Sequence, residues 1–149
     1  MKPIKRSEEL ISLSRDHHQA LLLCWKIKAG LSKNVALSRI YSYVEWFFES
    51  HLLPHFRLEE DYVFPLVNSS NRELALEQHQ QLKDILQSSI KDEQTLIRFH
   101  ELLNEHIRFE ERILFIEVQD SGGLNRLKVI EELHTNEKFC DNETDPFWK

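Results

Sequence analysis

The sequence predicts an all-α fold, an antiparallel up-down-up-down four-helix bundle with a short extra helix at its C-terminal end. Three observations predict it. Only 3 of the 149 residues are glycine and 4 are proline, so long stretches contain no breaker. No stretch alternates Val, Ile or Thr with polar residues in the two-residue rhythm of a strand. Apolar residues recur instead at three- and four-residue intervals in four long stretches joined by short connections.

The first dozen residues read as an extended lead-in. Ser12 or Ser14 can cap a first helix, with Asp16 in the opening turn, where the helix dipole favours an anion. That helix is expected to run to about Ala29 and end at Gly30. A longer stretch runs from about Val35 to Phe64, with a kink or restart at Pro54, and Pro65 closes it. Asn68 to Asn71 form a turn, and Ser70 with Glu73 reads as a capping box for a third helix over about 71–90. Asp92 starts a fourth helix reaching about Val118. Ser121-Gly122-Gly123 is the clearest break, and a short helix over about 124–134 follows. The last fifteen residues, 135–149, are polar and read as a flexible tail.

Apolar residues make up 41% and charged residues 30%, which suits one globular domain over 1–149 with its bundle over about 12–118. The net charge of -6 argues against nonspecific binding to nucleic acid or to anionic membranes. No apolar run reaches the roughly 18 residues of a membrane span. No signal-peptide run directly follows the basic start, so the expected location is cytoplasmic. Cys24 and Cys140 lie far apart. Cys24 is expected to pack as a small hydrophobe and Cys140 to be a free thiol.

Two segments carry the chemistry. His55-Phe-Arg-Leu-Glu59 and His106-Ile-Arg-Phe-Glu110 each place a histidine and a glutamate four residues apart, on one helix face. Facing each other, they offer two imidazoles and two carboxylates able to bridge, a donor set acceptable to Fe, Mn or Zn. On the first helix His17 falls in the inward series Leu10, Leu13, Ala20, Leu21, Cys24, Ile27 and Leu31, with His18 the alternative. On the second, Ile40, Val44, Phe48, His51, His55, Glu59 and Val63 form one stripe. His51 is open as a ligand, an outer donor or a carboxylate partner. The third helix turns Leu76, His79, Leu82, Lys83 and Leu86 inward. The fourth turns in Phe99, Leu102, Leu103, His106, Glu110, Ile113 and Leu114, which leaves His100 at the surface or rim. Trp25 and Trp46 are expected mostly to pack in the core. Glu60 and Glu111 point about 100° away from their neighbours and read as solvated or outer-shell groups. A lone inward histidine is usually a hydrogen-bonded core residue. Six such groups in one core would be costly without a metal, which favours ligation by His17, His55, Glu59, His79, His106 and Glu110.

At these residues the chain resembles the hemerythrin-like family, the HHE cation-binding domains. The resemblance rests on the segments from Ser14 to Leu21, His51 to Pro65, Glu77 to Leu82 and His106 to Glu111, and covers about 12–118. It implies a non-haem di-iron centre with two bridging glutamates, histidines at the ends and an open position for O2 or NO. The oxygen carriers of the family have two histidines one turn apart on the third helix and His-x4-Asp on the fourth. Here Ala75 and Lys83 flank His79, and the fourth helix has His-x3-Glu. His51, His18 or water would fill the fifth nitrogen position. Fewer protein ligands favour sensing, storage or iron and redox handling over oxygen transport, and a ligand-binding protein over an enzyme. The alternatives are an enzyme that reduces NO or peroxide or donates iron for cluster repair, and a metal-responsive interaction module with a redox or signalling partner. Zn or Mn can substitute for Fe, and the expected state is a monomer or weak dimer. Glu131-Glu-Leu-His134 has the Glu-x-x-His spacing of ferritin-like sites but lacks a second copy, and reads as coincidence.

Overall fold

The computed structural model describes residues 6–134 and 139–149, apart from the side chains of Glu131 and His134. Residues 1–5 of the lead-in and the Glu131/His134 pairing therefore lie outside the described residues. All the regular structure within them is helical. Helix α1 spans Glu8–Ser32. The second rod of the bundle, residues 37–66, comprises α2 (Leu37–Phe47), a π-helical turn (Phe48–Leu52), α3 (Leu53–Leu58), a second π turn (Glu59–Val63) and a 3₁₀ turn (Phe64–Leu66). Helix α4 (Asn71–Gln87) is the third rod. The fourth, residues 93–120, runs through α5 (Glu93–Phe109), a π turn (Glu110–Leu114) and α6 (Phe115–Asp120). A 3₁₀ turn (Leu124–Leu127) leads into α7 (Lys128–His134). These are the four long rods and short last helix that the apolar periodicity predicts. Among the described residues, no helix is long and apolar enough to cross a membrane.

Helix α1 starts earlier and ends later than expected. Neither Ser12 nor Ser14 caps it, because the helix already begins at Glu8 with Ser7 before it. Asn34 ends it, at φ 56, with its N–H donating to Leu31 O and the Val35 N–H donating to Gly30 O. That pair of bonds closes the last turn, and asparagine tolerates the left-handed conformation. Gly30 stays helical and serves a different purpose: a Cβ there would lie 2.7 Å from Cε2 of Phe147.

Pro54 does not break the second rod. The π turn just before it lets the ladder shift by one residue, so backbone angles stay helical at Leu52 and Leu53. Ser70 makes no side-chain cap; Ser69 accepts from the Asn71 N–H and donates to Glu117 instead. Asp92 caps α5 as expected, accepting from the Thr95 N–H at 2.8 Å. The break after α6 falls at Gly122, with φ 79. Helix α4 ends at Gln87, short of 90, because Ser88 is extended.

The core forms two apolar clusters, at opposite ends of a central polar layer. One gathers Leu23, Ile27, Val44, Phe47, Leu96 and Phe99, and the other Leu10, Leu13, Val63, Phe64, Leu114 and Leu127. Several positions depart from the expected stripes. Leu21, Leu76 and Ile113 are exposed, while Leu23, Ala75 and Phe115 are buried in their place. Trp25 is 56% exposed rather than in the core. His100 is buried, not at the rim, because α5 packs against α1 as well as α4 and so has more than one inner face. Cys24 is buried and donates weakly to the His100 carbonyl at 3.4 Å, and Cys140 is a free, exposed thiol. Burial pushes the Cys24 thiol up to about 12.

Residues 139–149, expected to be flexible, strap the bundle. Phe147 is only 2% exposed and fills the space beside Gly30. Lys26 donates to Asp141 at 2.7 Å and to the Tyr43 hydroxyl at 2.8 Å, and lies 4.1 Å from the centre of the Trp148 ring. Arg39 makes a paired bond to Asp145. The Phe147→Ala substitution should lower the unfolding free energy by about 3 kcal/mol, the usual loss for a buried phenylalanine. Urea denaturation checks this, and a loss under about 1 kcal/mol would mean that the strap adds little.

Candidate metal centre

The polar layer between the two apolar clusters is built by two glutamates and four histidines, one His from each rod. All six are buried, Glu59 and Glu110 completely. Their ligand atoms form two groups, His17, His55, Glu59 and Glu110, and Glu59, His79, His106 and Glu110. Within each group the donor atoms lie within 4.8 Å of one another, and both groups share the two glutamates.

The contacts of one group have counterparts in the other. His17 Nε2 lies 2.9 Å from Glu110 Oε1, and His79 Nε2 lies 3.2 Å from Glu59 Oε1. His55 Nε2 is 3.1 Å from Glu59 Oε1, and His106 Nε2 is 3.2 Å from Glu110 Oε1. The two Nε2 atoms within each group are 3.1 Å apart, His17 with His55 and His79 with His106.

Each of the four clustered histidines is held from behind through Nδ1. His17 Nδ1 donates to Glu111 at 2.8 Å, and His79 Nδ1 donates to Glu60 at 2.8 Å. His55 Nδ1 donates to Asp16 at 2.8 Å, and His106 Nδ1 donates to the Gln78 carbonyl oxygen at 2.6 Å. A carboxylate or amide oxygen only accepts, so each Nδ1 must carry the proton. In the neutral ring this leaves the Nε2 lone pair facing the centre, the tautomer a metal requires.

The π turns place the glutamates. Glu59 and Glu110 each open one, and the backbone N–H of the fifth residue on, Phe64 or Phe115, donates to that glutamate's carbonyl. The extra residue in the turn moves Phe64 and Phe115 onto the inner face, beside His79 and His17, with ring centres 5.1 and 5.2 Å away. The same slip turns Ile113 outward. Phe56 stacks on His79 with ring centres 3.8 Å apart. The site is therefore walled by aromatic rings.

His51 and His18 do not join the cluster. The π turn at Phe48–Leu52 shifts the face, so Leu52 is buried there while His51 packs on Trp46, Phe47 and Phe139. His18 is exposed on α1. Glu60 and Glu111 prove to be outer partners of histidines, and Asp16 and Gln78 join them although the sequence stripes did not single them out for this. A signal was present. Residues 55–64 and 106–115 share His-x-Arg-x-Glu-Glu-x3-Phe, a longer echo than His-x3-Glu, and Asp16 and Gln78 each directly precede a clustered histidine.

The donor set fits a metal pair. Both oxygens of Glu59 and Oε2 of Glu110 are buried with no hydrogen-bond partner. Buried carboxylates left so cost several kcal/mol unless a cation meets them. In the metal-free protein the imidazoles supply that charge. Burial pulls His17 and His55 down, but the surrounding carboxylates outweigh it, holding His17 well above its usual range and His55 up at about 9. His79 is raised for the same reasons, against Glu59 and Glu60. Burial pushes Glu59 up, yet His55, His17 and His79 together hold it well below the carboxylate range.

The model of the hemerythrin HHE cation-binding domain matches residues 10–118, most of the chain. The protein belongs to this family. No match was found among curated proteins or among solved structures. The matched span takes in all six clustered residues and their four Nδ1 partners, and stops before α7 and the C-terminal strap of this hemerythrin-like protein.

The raised histidines make a pH prediction for the metal-free protein. Below about pH 6.5 both folded and unfolded states hold the proton on His55, and its contribution to stability is fully present. As pH rises through about 9, the folded state releases that proton and the contribution is lost. Urea unfolding with chelator present should therefore show stability falling between about pH 6.5 and about pH 9. A flat profile over that range would mean that the imidazoles are neutral in the folded protein.

Proposed function

We propose that this hemerythrin-like protein holds two iron ions and binds a diatomic ligand, O2 or NO, at a carboxylate-bridged centre, for sensing, storage or iron and redox handling. The observation that carries this reading is the pair of four-residue groups sharing Glu59 and Glu110, with three of the four shared oxygens buried and lacking a hydrogen-bond partner.

Each group supplies two imidazole nitrogens and two carboxylates and contains no thiolate. Thiolates are favoured by structural zinc sites, whereas imidazole with carboxylate and open positions suits non-haem iron. Zn or Mn can occupy the same donors. Bound iron would supply redox chemistry and a place for a small ligand. Glu59 and Glu110 would be shared between the two ions. His17 and His55 would hold one ion, and His79 and His106 the other. Asp16, Glu60, Gln78 and Glu111 keep the Nδ1 protons and fix the rings. Phe56, Phe64 and Phe115 exclude water from the bound ligand, which a stable adduct requires. The burial of all six ligands favours a diatomic over a larger organic substrate.

Elemental analysis with absorption spectra of the anaerobically reduced protein, before and after air or NO, tests this. Two irons per chain and new near-ultraviolet bands are expected. One zinc or no metal, with no spectral change after iron reconstitution, would refute the di-iron reading. Glu59→Ala or Glu110→Ala should bring bound iron below two per chain. His17→Ala should lower it, while His18→Ala should leave it unchanged; the opposite result for these two would overturn the assignment on α1.

A further inference from the structure

The two halves of the centre share the pattern of their imidazole–carboxylate contacts, and each histidine has one partner behind it. Glu111 behind His17 and Glu60 behind His79 are both carboxylates, both about 30% exposed, and each has one cation nearby. Arg6 lies 3.6 Å from Glu111, and Lys83 lies 3.9 Å from Glu60. The remaining pair differs in charge. His55 donates to the carboxylate of Asp16, whereas His106 donates to the neutral amide of Gln78.

An imidazole whose N–H is held by a carboxylate is a more basic ligand than one held by an amide, because the ionised acceptor polarises the ring more strongly. The anion also sits behind only one of the two cation positions. We propose that Asp16 and Gln78 are positioning residues that make the two metal positions unequal, so that the position of His17 and His55 fills first and that of His79 and His106 second. This rests on the proposed metal centre. A protein that fills stepwise holds a single ion on one side of the bundle when metal is scarce. The second position, with the weaker ligand pair, is then the one that exchanges metal.

Anaerobic calorimetric titration of the metal-free, full-length protein with Fe2+ tests this. Two binding steps are expected. Removing an outer partner of a metal-bound histidine typically changes affinity about 10–100-fold. Asp16→Asn should weaken the first step by that factor and leave the second nearly in place, narrowing the gap. Gln78→Glu should strengthen the second step and narrow the gap from the other side, a gain that a merely structural role would not produce. His106→Ala should keep the tight step and His55→Ala should lose it.

Two equal sites that neither outer-shell variant separates would overturn the proposal while leaving the metal centre intact. So would a wider gap in Asp16→Asn, which would mean that the other half fills first. Failure of the unaltered protein to bind Fe2+ at all would overturn the metal centre itself, and this inference with it.

Discussion

Two carboxylates buried at the middle of a helical bundle are the constraint on which the rest of this structure depends. Glu59 and Glu110 have no solvent exposure, and most of their oxygens lack a hydrogen-bond partner. Such groups are tolerated only where positive charge is brought to them. Four histidines, one from each rod, aim Nε2 at the same two glutamates, and four outer groups hold those rings in place. The polar layer divides the apolar core into two clusters, so each half of the bundle packs around it rather than through it.

The π turns follow from that demand. In an uninterrupted α-helix, a residue five positions beyond a glutamate points well away from it. One extra residue in the turn brings Phe64 and Phe115 to the inner face and seals the centre with aromatic rings. The same device upstream turns His51 away and lets Pro54 sit in a continuous rod. Irregular helix geometry therefore concentrates in the two rods that carry Glu59 and Glu110, while α1 and α4, which contribute a histidine but no glutamate to the cluster, run regularly.

The strap at the far end of the chain closes one apolar cluster. Phe147 needs the missing side chain of Gly30, and the charge of the mostly buried Lys26 is met by Asp141 and the faces of Tyr43 and Trp148. A segment that looks polar and unstructured on its own becomes ordered because its few aromatic residues find a prepared surface. Local composition describes only the segment, and the compensating contacts come from residues more than a hundred positions away.

The sequence by itself determined the helical class, the four rods, and the inward placing of His17, His55, Glu59, His79, His106 and Glu110. These depend on local periodicity, and a histidine and glutamate four apart share a face whatever surrounds them. Tertiary structure decided what periodicity cannot express. The π turns broke the phase of the stripes, so Ile113 faces out and His51 leaves the face of His55 and Glu59. Packing on two sides buried His100. Asp16, Gln78, Glu60 and Glu111 became the supports of histidines on other rods, a role written in no single helix, because each support and its histidine meet only when the rods come together.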